Sequence, residues 1–128
     1  MADSPEASVR NLIAAHIQAQ DEGRAGDIVA LYTKDAVLKL PGAEPVEGHD
    51  ALLAAYGQWT PTQPQLHLGA NIHVTVLSDT RATARADVLF LQRTDSGWVP
   101  QVRGRYQDEY ALDEGHWKIR SRVTSFES

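Results

Sequence analysis

Hydrophobic positions change their spacing about halfway along the chain. Val9, Leu12, Ile13, His16 and Ile17 fall on one face at the helical period. Ahead of them, Ser4-Pro5-Glu6 sets a capping residue before a proline suited to a first helical turn. The pattern predicts a first helix running to about Glu22, after which Gly23 and Gly26 interrupt it. "DIVALYTKDAV" reads as a short second helix capped by Asp27, leading into a strand that starts near Ala36. "LPGAEPVEG" is turn chemistry, His49 to Gly57 forms a third helix, and "TPTQPQ" is a proline-broken loop.

From Leu66 onward, β-branched and alternating residues take over. They predict four strands, 66–77, 81–93, 98–112 and 116–126, joined at "LSDT", "TDSG" and "LDEG". Connections this short make the four strands antiparallel neighbours, because a parallel crossover needs a dozen or more residues. Helices followed by a meander define an α+β class, with helices packed on one face of a sheet. At 128 residues without an internal repeat or linker, the chain reads as a single domain over 1–128.

Composition narrows the partners. A net charge of −5 offers no footprint for a polyanion, which argues against nucleic acid and acidic membrane surfaces. Zero cysteines remove disulfides and thiolate nucleophiles, and are compatible with a reducing compartment. "MADSPEAS" lacks the basic start and apolar core of a secretory signal, and no apolar run nears the roughly 20 residues of a membrane span. A cytoplasmic location is the expectation.

Ionisable residues inside the apolar pattern are the candidates for chemistry. His16 sits mid-stripe on the first helix, so it faces the sheet, either as a hydrogen-bonded core residue or as a site residue. Asp21 ends that helix at the negative pole of its dipole, a poor place for a carboxylate unless it is solvated or has another task. Strict alternation puts His67 with Gly69, Asn71, His73 and Thr75 on a polar side and Leu68, Ala70, Ile72 and Val74 on an apolar one, which leaves its direction open. Zinc shared by His67 and His73 is disfavoured, since six strand residues separate them by ~20 Å. Asp87 sits beside Leu89 and Leu91, where it needs a partner or forms a surface pair with Arg85. Arg122 alternates opposite to Trp117 and Ile119, so it is solvated beside Arg120 unless a bulge turns it inward. Asp108, among Tyr106 and Tyr110, is expected to find a tyrosine hydroxyl or backbone partner, or a dimer contact. Trp59, Trp98 and Trp117 read as core and rim.

The pieces "IQAQDEGRAGDIVALYTKDAVLKLPG", "GHDALLAAY", "LHLGANIHVTVLSDTRATARAD" and "GRYQDEYALDEGHWKIRSRV", in this order and spacing, resemble the SnoaL-like branch of the nuclear-transport-factor-two-like superfamily. The resemblance implies a cone-shaped α+β barrel around one deep pocket, and a homodimer. Dehydratases of this branch carry a catalytic histidine and a helix-one aspartate where His67 and Asp21 stand. Bile-acid dehydratase relatives place an aspartate and an arginine at Asp87 and Arg122, and a tyrosine where this chain has His16. The resemblance therefore implies a lyase or isomerase, a dehydratase among them, acting without a cofactor. The reaction would be proton abstraction beside a carbonyl on a small hydrophobic ring compound of steroid, polyketide or terpenoid type. A non-catalytic binder of a small hydrophobic molecule is the alternative. Arg85-x-Asp87 is also similar to limonene epoxide hydrolases, but Arg122 stands where their second aspartate would be.

Overall fold

The computed structural model describes residues 3–127. Helix α1 spans Pro5–Asp21, with the Ser4 side chain accepting the Ala7 N–H at 3.1 Å and proline in the first turn. Its stripe of Val9, Ile13, His16 and Ile17 is buried, and Glu22 caps its end before Gly23 turns the chain at φ +71°. Helix α2 is Ala25–Val29, strand β1 is Tyr32–Lys39, β2 is Val46–Glu47 and α3 is Gly48–Gln58. The long strands follow as β3 (Gln65–Ser78), β4 (Arg81–Thr94), β5 (Gly97–Asp113) and β6 (His116–Glu127).

Two expectations for the front half need correction. Asp27 lies within α2, paired with Arg24 at 2.6 Å, and does not cap the helix. The following strand starts at Tyr32, four residues before Ala36, because pairing to a distant element overrides local helix preference: the Ile119 N–H donates to the Leu31 carbonyl at 2.8 Å. The turn-rich segment after it also ends in the two-residue strand β2, whose Glu47 and Val46 pair with Val37 and Leu38.

All six strands form one curved sheet in the order β2-β1-β6-β5-β4-β3. The four long ones are successive antiparallel neighbours, as their short connections require, while β1 lies parallel to β6. The sheet is mostly antiparallel and does not close, so the cone is an open one with the helices against its concave side. Its core joins the α1 stripe to Ile28, Leu38, Leu52, Ala84 and Ile119.

Bulges decide which side chains the concave face receives. On β3, Ala70 pairs with Asp87 and His73 with Arg85, so Asn71 and Ile72 together oppose Ala86. Asn71 takes the left-handed conformation at φ 52°, which asparagine tolerates better than most residues. Before this bulge the odd-numbered positions Gln65 and His67 turn inward. After it the even-numbered Ile72 and Val74 do, and His73 points away. On β6, Ser121 pairs with Glu109 but Ile119 with Tyr110, leaving Arg120 as the extra residue. Ile119 and Arg122 therefore share the concave face, through the bulge that an inward Arg122 requires.

Candidate functional site

The open side of the cone holds a cavity of about 380 Å³. Leu38, Leu40, Val88, Phe90, Val102 and Phe126 give it apolar walls, and Trp59 stands at its edge, 40% exposed. His16, His67 and Arg122 line it together with the phenols of Tyr56 and Tyr106.

His67 is set by pairing and packing together. It lies opposite Phe90 on β4, with ring centroids 4.7 Å apart. Asp21, on the last turn of α1, meets it from behind: Oδ1 lies 2.6 Å from His67 Nδ1, and Oδ2 accepts the His67 backbone N–H at 2.7 Å. Gln65 donates a third hydrogen bond to Oδ1 at 3.1 Å. Three donors compensate for the unfavourable helix terminus and explain why a carboxylate survives there. The His67 and Asp21 side chains are 12% and 10% exposed. With Nδ1 committed to the carboxylate, a neutral His67 ring keeps its lone pair on Nε2, which makes no hydrogen bond among the described residues.

Arg122 enters from β6 as a fully buried cation. Its Nε and Nη2 donate to both oxygens of Asp108 at 2.9 and 2.8 Å, and Tyr110 donates to the same carboxylate at 2.6 Å. The guanidinium carbon lies 3.9 Å from the centroid of the Tyr106 ring. Burial works against the charge, but Asp108 and the surrounding tyrosines outweigh it and hold the guanidinium well above its ordinary pKa. The tyrosine partner expected for Asp108 is present, whereas its pairing with Arg122, whose inward turn depends on the bulge, was not expected from the sequence. Arg122 Nη1 is buried without a hydrogen-bond partner among the described residues.

His16 is buried and bound by two groups that the sequence did not mark. Its Nε2 lies 2.8 Å from the Tyr32 hydroxyl and 3.1 Å from that of Tyr56, and the hydroxyls are 2.9 Å apart. Burial first, then the nearby Arg122 and His67, push its pKa well below 6.5. Burial likewise raises both phenols, Tyr56 to about 12. Tyr32 was hidden in a segment read as helix and Tyr56 in an ordinary helix stripe. A polar residue mid-stripe on α1 does demand partners, but not which ones.

Asp87 is not brought to this group. It lies on the face away from the cavity, accepting from Asn71 at 2.9 Å and from Arg105 at 3.1 Å, contacts that lower its pKa. Its arginine is thus Arg105 on the neighbouring strand, and Arg85 is exposed beside His73. The Arg85–Asp87 pair is not formed, nor is the arginine–aspartate arrangement of an epoxide hydrolase built around it. Four of the five sequence-selected residues, His16, Asp21, His67 and Arg122, surround or back the cavity. Of the tryptophans, Trp117 packs against the core and Trp98 is 49% exposed.

A curved open sheet with helices against one face is the fold of the nuclear-transport-factor-two-like class. Residues 4–123 match the model of the SnoaL-like domain, and the chain belongs to that family. Comparison with curated proteins gives no match. Among solved structures, LinA is similar at 21% identity and a TM-score of 0.84, over 96% of this chain and 86% of that one. A candidate scytalone dehydratase from Novosphingobium aromaticivorans is 20% identical with a TM-score of 0.85, over 96% and 84%. A Catenulispora acidiphila protein in complex with S-DNPA is 20% identical with a TM-score of 0.84, over 94% and 92%. At these identities the likeness shows a shared fold and nothing finer.

Proposed function

We propose that this protein is a cofactor-independent lyase or isomerase that removes a proton beside a carbonyl on a small hydrophobic ring compound. The carrying observation is the 2.6 Å contact between His67 Nδ1 and Asp21, with Nε2 left free beside an apolar cavity. In this reading Nε2 takes the proton, and Asp21 fixes the tautomer and stabilises the imidazolium that forms. Arg122 and His16 supply positive polarity for the oxygen on which negative charge develops. The imidazolium then returns its proton to a departing hydroxyl, giving dehydration, or to another carbon, giving isomerisation. Asp87 has no part in this version, because it lies across the sheet from the cavity. The likeness to a candidate scytalone dehydratase agrees with such chemistry, and a ligand-bound neighbour agrees with a small-molecule pocket.

The test uses ring-containing hydroxy-ketones in D2O, followed by NMR for deuterium uptake beside the carbonyl and by mass for loss of water. Wild type is expected to catalyse one or both, and His67→Ala neither. Equal rates for the two proteins would remove the base. Ligand binding with no exchange by wild type would make the protein a binder.

A cytoplasmic homodimer is part of the same proposal. Leu66 and Leu68, 39% and 48% exposed on the side of β3 away from the cavity, are apolar surface that a second copy would cover. Sedimentation of the purified chain tests the pairing.

A further inference from the structure

Tyr32 and Tyr56 have no task in the proton transfer above, yet they close a hydrogen-bonded triangle with His16 whose sides are 2.8, 3.1 and 2.9 Å. The three side chains come from β1, α3 and α1, and none of the residues is more than 5% exposed. Neither hydroxyl has another hydrogen bond among the described residues, and His16 Nδ1 is buried with no partner.

Counting protons separates the two neutral forms of the imidazole. Each phenol carries one proton, and the ring carries one on either nitrogen. With the ring proton on Nδ1, Nε2 is a lone pair. One tyrosine donates to it, the other donates to the first or also to Nε2, and every proton inside the triangle has an acceptor. Only the Nδ1–H is left over. With the ring proton on Nε2, that N–H donates to one hydroxyl, and this hydroxyl donates to the next. The last hydroxyl proton then has no acceptor, and Nδ1 is a bare lone pair. The first form leaves one buried polar group unsatisfied and the second leaves two, so the first is the more stable.

We propose that Tyr32 and Tyr56 are positioning residues that hold the His16 proton on Nδ1, making this imidazole a fixed, uncharged hydrogen-bond donor. Two histidines in one cavity are thereby given opposite tasks. His67 donates its Nδ1–H to a carboxylate and keeps a free basic nitrogen, whereas the corresponding nitrogen of His16 is already taken by phenols. Burial, Arg122 and His67 all oppose a charge on His16, so it does not become a second base. His16 and Arg122 both line the cavity, where an uncharged donor beside a guanidinium matches a proton-free acceptor oxygen on the ligand, such as a ketone.

The tautomer is measured without any substrate. Histidine-¹⁵N-labelled protein is followed by two-bond ¹H–¹⁵N correlation from pH 5.5 to 8, with the His16 signals identified by their loss in His16→Gln. A pyrrole-type Nδ1 and a pyridine-type Nε2 are expected across the range. An Nε2-protonated or charged ring in wild type overturns the proposal, whatever the protein catalyses. In the folded double variant Tyr32→Phe/Tyr56→Phe the Nδ1–H preference is expected to be lost, and an unchanged tautomer overturns the role given to the tyrosines. Should that variant not fold, Tyr32→Phe alone removes the shorter contact. In that variant the Tyr56 hydroxyl still donates to Nε2, so the Nδ1–H form is expected to persist, which supports the proposal, and an Nε2-protonated ring overturns it.

Discussion

Asp21 grips His67 twice, through the ring Nδ1 at 2.6 Å and through the backbone N–H at 2.7 Å, so one carboxylate fixes both the tautomer and the place of the imidazole on its strand. The two contacts separate in Asp21→Asn. An amide can still accept from the backbone, but its NH₂ group can also donate to Nδ1 and so favour the wrong tautomer. Turnover of any responsive substrate is expected to fall by about 10² to 10⁴ in kcat, with KM nearly unchanged. A kcat within threefold of wild type would show that Asp21 is structural only.

The bulge at Asn71 is what turns His67 toward the cavity. Removing a single residue there would shift the side-chain alternation between the two halves of β3, so the Asn71 deletion is expected to abolish activity. Milder substitutions probe the backbone alone. Asn71→Gly is expected to leave stability nearly unchanged apart from the lost contact to Asp87, whereas Asn71→Val, strained at φ 52°, is expected to lose about 1–2 kcal/mol in urea unfolding. Equal stability of the glycine and valine variants would deny the strain.

This bulge also marks where the sequence stopped being readable. Periodicity placed α1, α3 and the four long strands within a residue or two, because each is long enough to show its own period. The same alternation misassigned the β3 faces, since a bulge is invisible in hydrophobicity: Asn71 is merely one polar residue among several. Arg120 hid the inward turn of Arg122 in the same way. His67 and Asp21 were found through family resemblance, not through period. The partners of His16 were beyond reach, because Tyr32 reaches it from the start of a strand, and that start is set by parallel pairing to β6, far along the chain. Asp87 was selected by its leucine neighbours and by the resemblance, and on the opposite face of the sheet Asn71 and Arg105 satisfy it instead.

His16 makes stability depend on pH in a defined direction. Its pKa is depressed in the folded protein, by burial first and then by Arg122 and His67, and returns to about 6.5 in the unfolded chain. Below that value the unfolded state binds a proton that the native state refuses. The contribution is therefore fully present above pH ~6.5 and is lost as pH falls toward the folded pKa, at a slope of at most about 1.4 kcal/mol per pH unit. Unfolding midpoints between pH 7.5 and 5 are expected to fall less steeply in His16→Gln than in wild type. Parallel profiles would mean that His16 charges freely in the native protein.

The Arg122–Asp108 pair should separate the cost of an unpaired charge from the worth of the pair itself. Both groups are almost wholly buried, and the guanidinium is held by two hydrogen bonds and the Tyr106 ring. Removing one partner leaves the other as a bare buried ion, which typically costs about 3–5 kcal/mol. Arg122→Met and Asp108→Leu are each expected to lose stability on that scale by urea unfolding. The double variant loses charge and counter-charge together and leaves only the Tyr110 hydroxyl without its acceptor, so it is expected to be more stable than either single variant. It should nonetheless have lost turnover, because the cavity then has no cation to face a developing oxyanion. Full activity in a stable double variant would confine Arg122 to holding β5 and β6 together.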